Sequence, residues 1–69
     1  MDEMVVYNNF RAMISLLGIG DYNSIDDTCV ERVTTNCYVV SNNGFGTTAT
    51  SLGEAASLAT ADWFSDLEP

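Results

Sequence analysis

Carboxylates are the side chains best placed for chemistry in this sequence, and four of them crowd into DYNSIDDTCVE, residues 21–31. Oxygen-rich loops of this kind can bind calcium. An EF-hand loop needs acidic or amide side chains at its first, third and fifth positions, glycine at the sixth and glutamate at the twelfth. Counted from Asp21, these last three positions hold Ile25, Asp26 and Arg32. The segment therefore does not predict a calcium loop.

The chain has two cysteines, Cys29 and Cys37. Its acidic start, MDE, is unlike the basic start of a secretory signal peptide, so we expect a cytoplasmic protein whose thiols stay reduced. Two cysteines without a histidine make a poor zinc site. Buried thiols are the simplest expectation, and a disulfide or a metal-binding pair is the alternative.

Catalytic groups are scarce in this composition, which contains no histidine and no lysine. General acid–base catalysis at neutral pH mostly uses histidine or a buried carboxylate, and a cysteine nucleophile needs a base beside it. The segments GIG and GFG are only fragments of a phosphate-binding loop. We therefore expect a binding protein rather than an enzyme, with no catalytic residue, no metal and no cofactor.

The charge is strongly one-sided: ten Asp and Glu face two bases, Arg11 and Arg32, for a net charge of −8. Charges of one sign repel each other in a compact chain. Because contact with phosphates needs cations, neither a nucleic acid nor an anionic membrane is expected as a direct partner. A basic protein surface is the expected partner, and the alternative is that the acids serve only solubility.

The 69 residues are 46% hydrophobic, which predicts one small domain spanning residues 1–69. Two helices follow from apolar spacing. The first is predicted at 3–17, ends before Gly18 and Gly20, and has a stripe of Val6, Phe10, Met13, Ile14 and Leu17. The second is predicted at 52–67, starts with a capping box of Ser51 and Glu54, and has a stripe of Leu52, Ala56, Ala59, Trp63 and Leu67.

The middle of the chain is expected to add a hairpin and, before it, either a short helix or a strand. Strand-forming Tyr38, Val39 and Val40 precede Asn43-Gly44, a pair that suits a tight hairpin turn, and a returning strand follows. For residues 24–33, Ser24 and Asp27 have capping-box spacing and favour a short helix, whereas the β-branched residues favour a strand. The predicted fold class is α+β, with the C-terminal helix packed on the sheet.

The C-terminal helix breaks an electrostatic rule. Asp62, Asp66 and Glu68 crowd the end at which the helix dipole favours cations. Such unexplained local conflicts are where function is expected, although a solvated, frayed tail is the alternative. We predict a partner-binding acidic surface made of Asp21, Asp26, Asp27, Glu31, Asp62, Asp66 and Glu68. Phe64 and Tyr22 are candidate aromatic contacts, unless Phe64 covers the edge of the core.

The small size, the acidity, the α+β order and the capped helix SLGEAASLATADWFSDL together resemble the small acidic anti-CRISPR and other anti-defence proteins of phages and mobile elements. The resemblance implies a non-catalytic protein that binds a CRISPR effector complex, with type I favoured, in the cytoplasm of a bacterial host. In DNA-mimic members the bound surface is a groove that recognises DNA or the PAM. The family shares no functional motif, so no residue is assigned from it.

Two other functions are consistent with the sequence. The chain could be an assembly module, a homo-oligomer that pairs through its hairpin edge or its alanine-rich helix. It could also be an antitoxin-like partner that covers a basic enzyme. We expect a monomer or a weak homodimer.

Overall fold

The computed structural model describes residues 2–42 and 44–67, apart from the side chain of Leu67. The elements are α1 (Glu3–Ser15), β1 (Tyr22–Ile25), β2 (Thr28–Thr34), β3 (Cys37–Asn42), β4 (Phe45–Ala49) and α2 (Leu52–Leu67). The strands form one antiparallel sheet in the order β1-β2-β3-β4. Since α2 packs on this sheet beside α1, the predicted α+β fold is confirmed.

Helix α1 forms as its apolar spacing predicts. Its first turn is capped by Asp2, whose carboxylate accepts a hydrogen bond from the Met4 N–H at 3.0 Å. Val6, Phe10 and Ile14 are buried along the helix, and Leu17 is buried just beyond it. The helix ends at Ser15, two residues earlier than predicted, because its last turn tightens: the N–H groups of Leu16 and Leu17 donate to carbonyls only three residues back, at 3.2 and 3.0 Å.

Helix α2 begins at the predicted capping box. The Glu54 N–H donates to Ser51 Oγ at 3.1 Å, and the Glu54 carboxylate accepts from the Thr50 N–H at 3.2 Å. Both bonds satisfy backbone donors that a helix start leaves without partners. Ala55, Ala56 and Ala59 are fully buried, and their small side chains let α1 approach closely.

Residues 24–33 form the end of β1, a two-residue turn and most of β2, so the prediction of a short helix there was wrong and the competing strand prediction is confirmed. Asp26 and Asp27 form the turn between β1 and β2, with Asp26 at a φ of 53°, a left-handed value that Asp tolerates better than most residues. Ser24 caps nothing and pairs with Cys29 across the two strands. A helix cap is worth only about 1 kcal/mol, whereas the strand buries Thr28 and Val30 completely.

The predicted hairpin is β3 and β4, in which Asn42 pairs with Phe45 across a two-residue connection. Gly44 has a φ of 88°, as such a tight turn requires, and Asn43 lies outside the described residues. The hairpin gains a third strand from β2, which pairs with β3 from Thr28 to Thr34. This pairing supplies the support that an isolated hairpin lacks.

One face of the sheet carries the core. Val30, Tyr38, Val40 and Ala49 alternate inward along β2, β3 and β4 and are buried against the helices. Their neighbours in sequence point to the opposite face, where neither helix packs. Cys29 and Cys37 lie on that outer face, half-buried and without a disulfide. Cys29 pairs with Ser41, which is four residues from Cys37 along β3. The two cysteines are therefore about 14 Å apart along the strand direction.

Candidate functional site

The direction of each element decides which carboxylates come together. Helices α1 and α2 are antiparallel. Gly53, in the first turn of α2, lies beside Tyr7, since a Cβ atom added to Gly53 would be 3.6 Å from the Tyr7 hydroxyl. Further along α2, Ser57 and Thr60 line a groove with Asp2 and Glu3. The N-terminus of α1 therefore lies beside the second half of α2. Strand β1 runs antiparallel to α1 after the turn at Gly18–Asp21, so the Asp26–Asp27 turn returns to this same end.

Two hydrogen bonds fix the acidic segments to one another. The Trp63 indole N–H donates to Asp26 Oδ2 at 2.8 Å, joining α2 to the β1–β2 turn. The Asn42 side-chain amide donates to Asp66 Oδ2 at 2.6 Å, joining α2 to the end of β3. Two of the acidic groups that are far apart in sequence are thereby held at one place on the surface.

We define the acidic end as the group of six carboxylates that this arrangement collects, which are Asp2, Glu3, Asp26, Asp27, Asp62 and Asp66. Asp62 is half-buried and the other five are exposed. No arginine lies among them, because Arg11 is two turns along α1 and Arg32 is near the far end of β2. This end is therefore the most negative part of the described molecule.

The structure separates two of the predicted site residues from this group. Asp21 lies at the opposite end of β1, where its carboxylate accepts from the Gly18 N–H at 2.9 Å. Glu31 is exposed on the outer face of the sheet and pairs with Tyr22. The segment DYNSIDDTCVE is thus divided: its central pair of aspartates joins the acidic end and its outer acids do not. Glu68 lies outside the described residues.

Both arginines are directed to neutral oxygens. Arg11 donates to the Tyr7 hydroxyl at 3.3 Å. Arg32 donates to the backbone carbonyls of Leu17 at 2.9 Å and Thr35 at 3.3 Å, and its guanidinium lies 5.5 Å from the centre of the Tyr38 ring. The carboxylates of the acidic end therefore keep their charge available to cations from another molecule.

The aromatic residues differ in their availability to a partner. Phe64 is half-buried, packs against the core and meets Trp63 edge-on, with ring centroids 5.2 Å apart. Tyr22 is 72% exposed on the outer face of the sheet, away from the acidic end. Sequence reasoning missed Phe45, which is 83% exposed. The sequence signal for this exposure was the position of Phe45 directly after the tight turn, where the helices do not bury the side chain.

A groove of about 290 Å³ lies between β4 and the second half of α2, lined by Asn42, Phe45, Thr47, Asp62, Ser65 and Asp66. It contains carboxylate, amide and hydroxyl groups beside one exposed ring. The Asn42 Oδ1 atom is buried and accepts no hydrogen bond from the described residues. This chemistry suits the binding of cationic side chains, since guanidinium and ammonium groups donate to all three kinds of oxygen.

Within residues 2–42 and 44–67, no group of three or more histidine, cysteine or acidic side chains could hold a metal ion. Across the same part of the chain, no helix is both long enough and apolar enough to cross a membrane.

Comparisons of the chain with protein-family models, with curated proteins and with solved structures gave no match.

Proposed function

We propose that this protein is a non-catalytic inhibitor that presents its acidic end to a basic, nucleic-acid-binding groove of another protein. The observation that carries the proposal is the collection of six carboxylates at one end, with both arginines held elsewhere. The favoured target is a type I CRISPR effector complex, for which the support is the resemblance in size, acidity and element order. The inhibitor would exclude DNA from the surface that recognises the target or the PAM.

The physical basis is that surface carboxylates and nucleic-acid phosphates attract the same cationic side chains. Double-stranded DNA carries about one negative charge per 1.7 Å of helix axis, and the proteins that bind it offer arginine and lysine. The acidic end offers carboxylates to the same cations from a rigid platform, since Asp26 and Asp66 are each held by a hydrogen bond from a neighbouring element. Such preorganisation lowers the entropy cost of binding.

The test is a competition for target DNA with a purified type I CRISPR surveillance complex. We expect the protein to displace DNA at a near-stoichiometric ratio. Because the contacts are charge-based, the inhibition should weaken when the salt concentration is raised. Absence of any association with the complex would contradict the proposed target. Association without loss of DNA binding would contradict the proposed mechanism.

Matched variants locate the surface. Asp26→Asn, Asp62→Asn and Asp66→Asn combined remove three charges from the acidic end while keeping oxygen acceptors for Trp63 and Asn42. The control is the combination of Asp21→Asn, Glu31→Gln and Glu54→Gln, which removes equal charge elsewhere. We expect the first variant to inhibit at least about tenfold less well, since each lost charge-assisted hydrogen bond contributes roughly 1.5–3 kcal/mol. Equal inhibition by both variants would show that net charge, and not this surface, is responsible.

A further inference from the structure

The sheet has two edges, and only one is protected against pairing with another chain. At β1, the outward N–H of Ser24 is occupied by the side chain of Asn23, which accepts it at 2.8 Å. This strand is four residues long and is flanked by Asp21 and Asp26. Short length, charge and occupied donors are the usual protections of an edge strand.

Strand β4, five residues long, forms the other edge and lacks both the charge and the occupied donors. Its sequence, FGTTA, contains no charged residue and no proline. Because Asn42 and Phe45 close a two-residue hairpin, they form a hydrogen-bonded pair, and so do Val40 with Thr47. The main-chain groups of Gly46 and Thr48 therefore point away from β3, and they bond to no other part of the described chain. Phe45 to Thr48 are exposed.

We infer that the β4 edge accepts an extended, arginine- or lysine-rich segment of the partner as an added strand. The groove beside β4 carries Asp62 and Asp66, so every second side chain of such a strand would lie against carboxylates. The exposed Phe45 ring would stack on a guanidinium. The inference rests on the proposed function for the basic character of the partner.

Charge distinguishes this occupant from a second copy of the chain. Two copies paired through β4 would each bring Asp62 and Asp66 to the junction, with a net charge of −8 on each chain. Neither arginine lines the groove beside β4, since Arg11 is on α1 and Arg32 bonds to Leu17 and Thr35. A basic strand supplies the cations that a second copy lacks.

The test uses the full chain and a capped heptapeptide that alternates threonine and arginine, followed by NMR chemical shifts of the protein amides. We expect the largest shifts at Gly46 and Thr48. The same peptide methylated at every main-chain nitrogen keeps its charge but cannot pair as a strand, and we expect its affinity to fall at least about tenfold. Equal affinity of the two peptides would overturn the inference, because charge alone would then explain binding.

A proline at each edge provides the matched comparison. Thr48→Pro removes an outward N–H from β4, and Ser24→Pro removes one from β1, both at positions where an edge strand tolerates proline. We expect only Thr48→Pro to weaken peptide binding, by about tenfold. If sedimentation instead shows that the wild type is a dimer and that Thr48→Pro is a monomer, the inference is wrong and this edge pairs with a second copy of the chain.

The two proposals fail differently. If Thr48→Pro still displaces DNA from the effector complex as well as the wild type does, the strand inference is wrong and the proposed function stands. If the wild type binds the peptide along β4 but does not associate with the effector complex, the choice of target is wrong and the strand inference stands.

Discussion

At the scale of single residues, Asp26 combines a backbone requirement with a side-chain contact. Its φ of 53° is one that few residues other than Gly, Asn and Asp adopt easily, and its carboxylate accepts from the Trp63 indole. One residue thus shapes the β1–β2 turn and ties that turn to α2. The same carboxylate belongs to the acidic end, so its structural and proposed binding roles must be separated by substitution.

Three substitutions at Asp26 separate these roles. Asp26→Asn keeps the tolerance for positive φ and an acceptor for Trp63, and we expect a free energy of unfolding within about 0.5 kcal/mol of the wild type. Asp26→Gly keeps the turn but loses the bond, at a cost of about 0.5–1.5 kcal/mol. Asp26→Ala loses both and should be the least stable of the three. Urea unfolding followed by Trp63 fluorescence measures the series, and an alanine variant as stable as the asparagine variant would contradict this account.

At the scale of elements, local signals set where a helix begins in the sequence, as the start of α2 shows. The Ser51 hydroxyl and the Glu54 carboxylate satisfy backbone N–H groups that would otherwise have no partner. A domain of this size buries a limited core, so a single cap is a noticeable share of its stability. The cap also sets where α2 begins, and hence where Asp62 and Asp66 lie along the groove beside β4.

Ser51→Ala is therefore expected to lower the free energy of unfolding by about 1 kcal/mol, the usual effect of losing a helix cap. The control is Ser57→Ala, an exposed position inside α2, where alanine has the higher helix propensity and should be neutral or slightly stabilising. Thermal and urea unfolding measured by circular dichroism check both variants. Equal effects of the two substitutions would mean that the capping bond does not contribute.

At the scale of the whole molecule, charge is distributed unevenly between the acidic end and the rest of the described chain. Among the described residues, the acidic end holds six carboxylates and neither arginine, and Asp21, Glu31 and Glu54 also lie away from it. Carboxylates gathered in this way repel one another in the folded chain, and the repulsion is screened by salt over a distance of about 10 Å at 0.1 M. The asymmetry that suits a basic partner therefore opposes the stability of the isolated protein.

We expect the melting temperature to rise between low and physiological salt, because screening weakens this repulsion. The Asp62→Asn, Asp66→Asn variant should show a smaller rise than the Asp21→Asn, Glu31→Gln variant, although each removes two charges. Calorimetry at matched pH makes the comparison. A melting temperature that falls with added salt would refute an uncompensated acidic end.

The two helices and the β3–β4 hairpin could be predicted because their signals are local. Apolar residues three and four apart, such as Phe10 and Ile14, define a helical face, and Ser51 with Glu54 marks a helix start. The prediction failed at residues 24–33, where a spacing that suits a capping box coincided with β-branched residues. There the choice depended on pairing with β3, a partner that neighbouring residues do not reveal.

The sequence by itself determined the amount of negative charge, the two helices and the tight hairpin turn, because composition and short-range spacing suffice for these. Only the tertiary structure decided that Asp26 and Asp27 join Asp62 and Asp66 while Asp21 and Glu31 do not. The same holds for the exposure of Phe45 and for the outward groups of Gly46 and Thr48. These properties follow from the directions in which β1, β4 and α2 run and from which strand lies at the edge of the sheet, and chain direction and strand order are set by long-range packing.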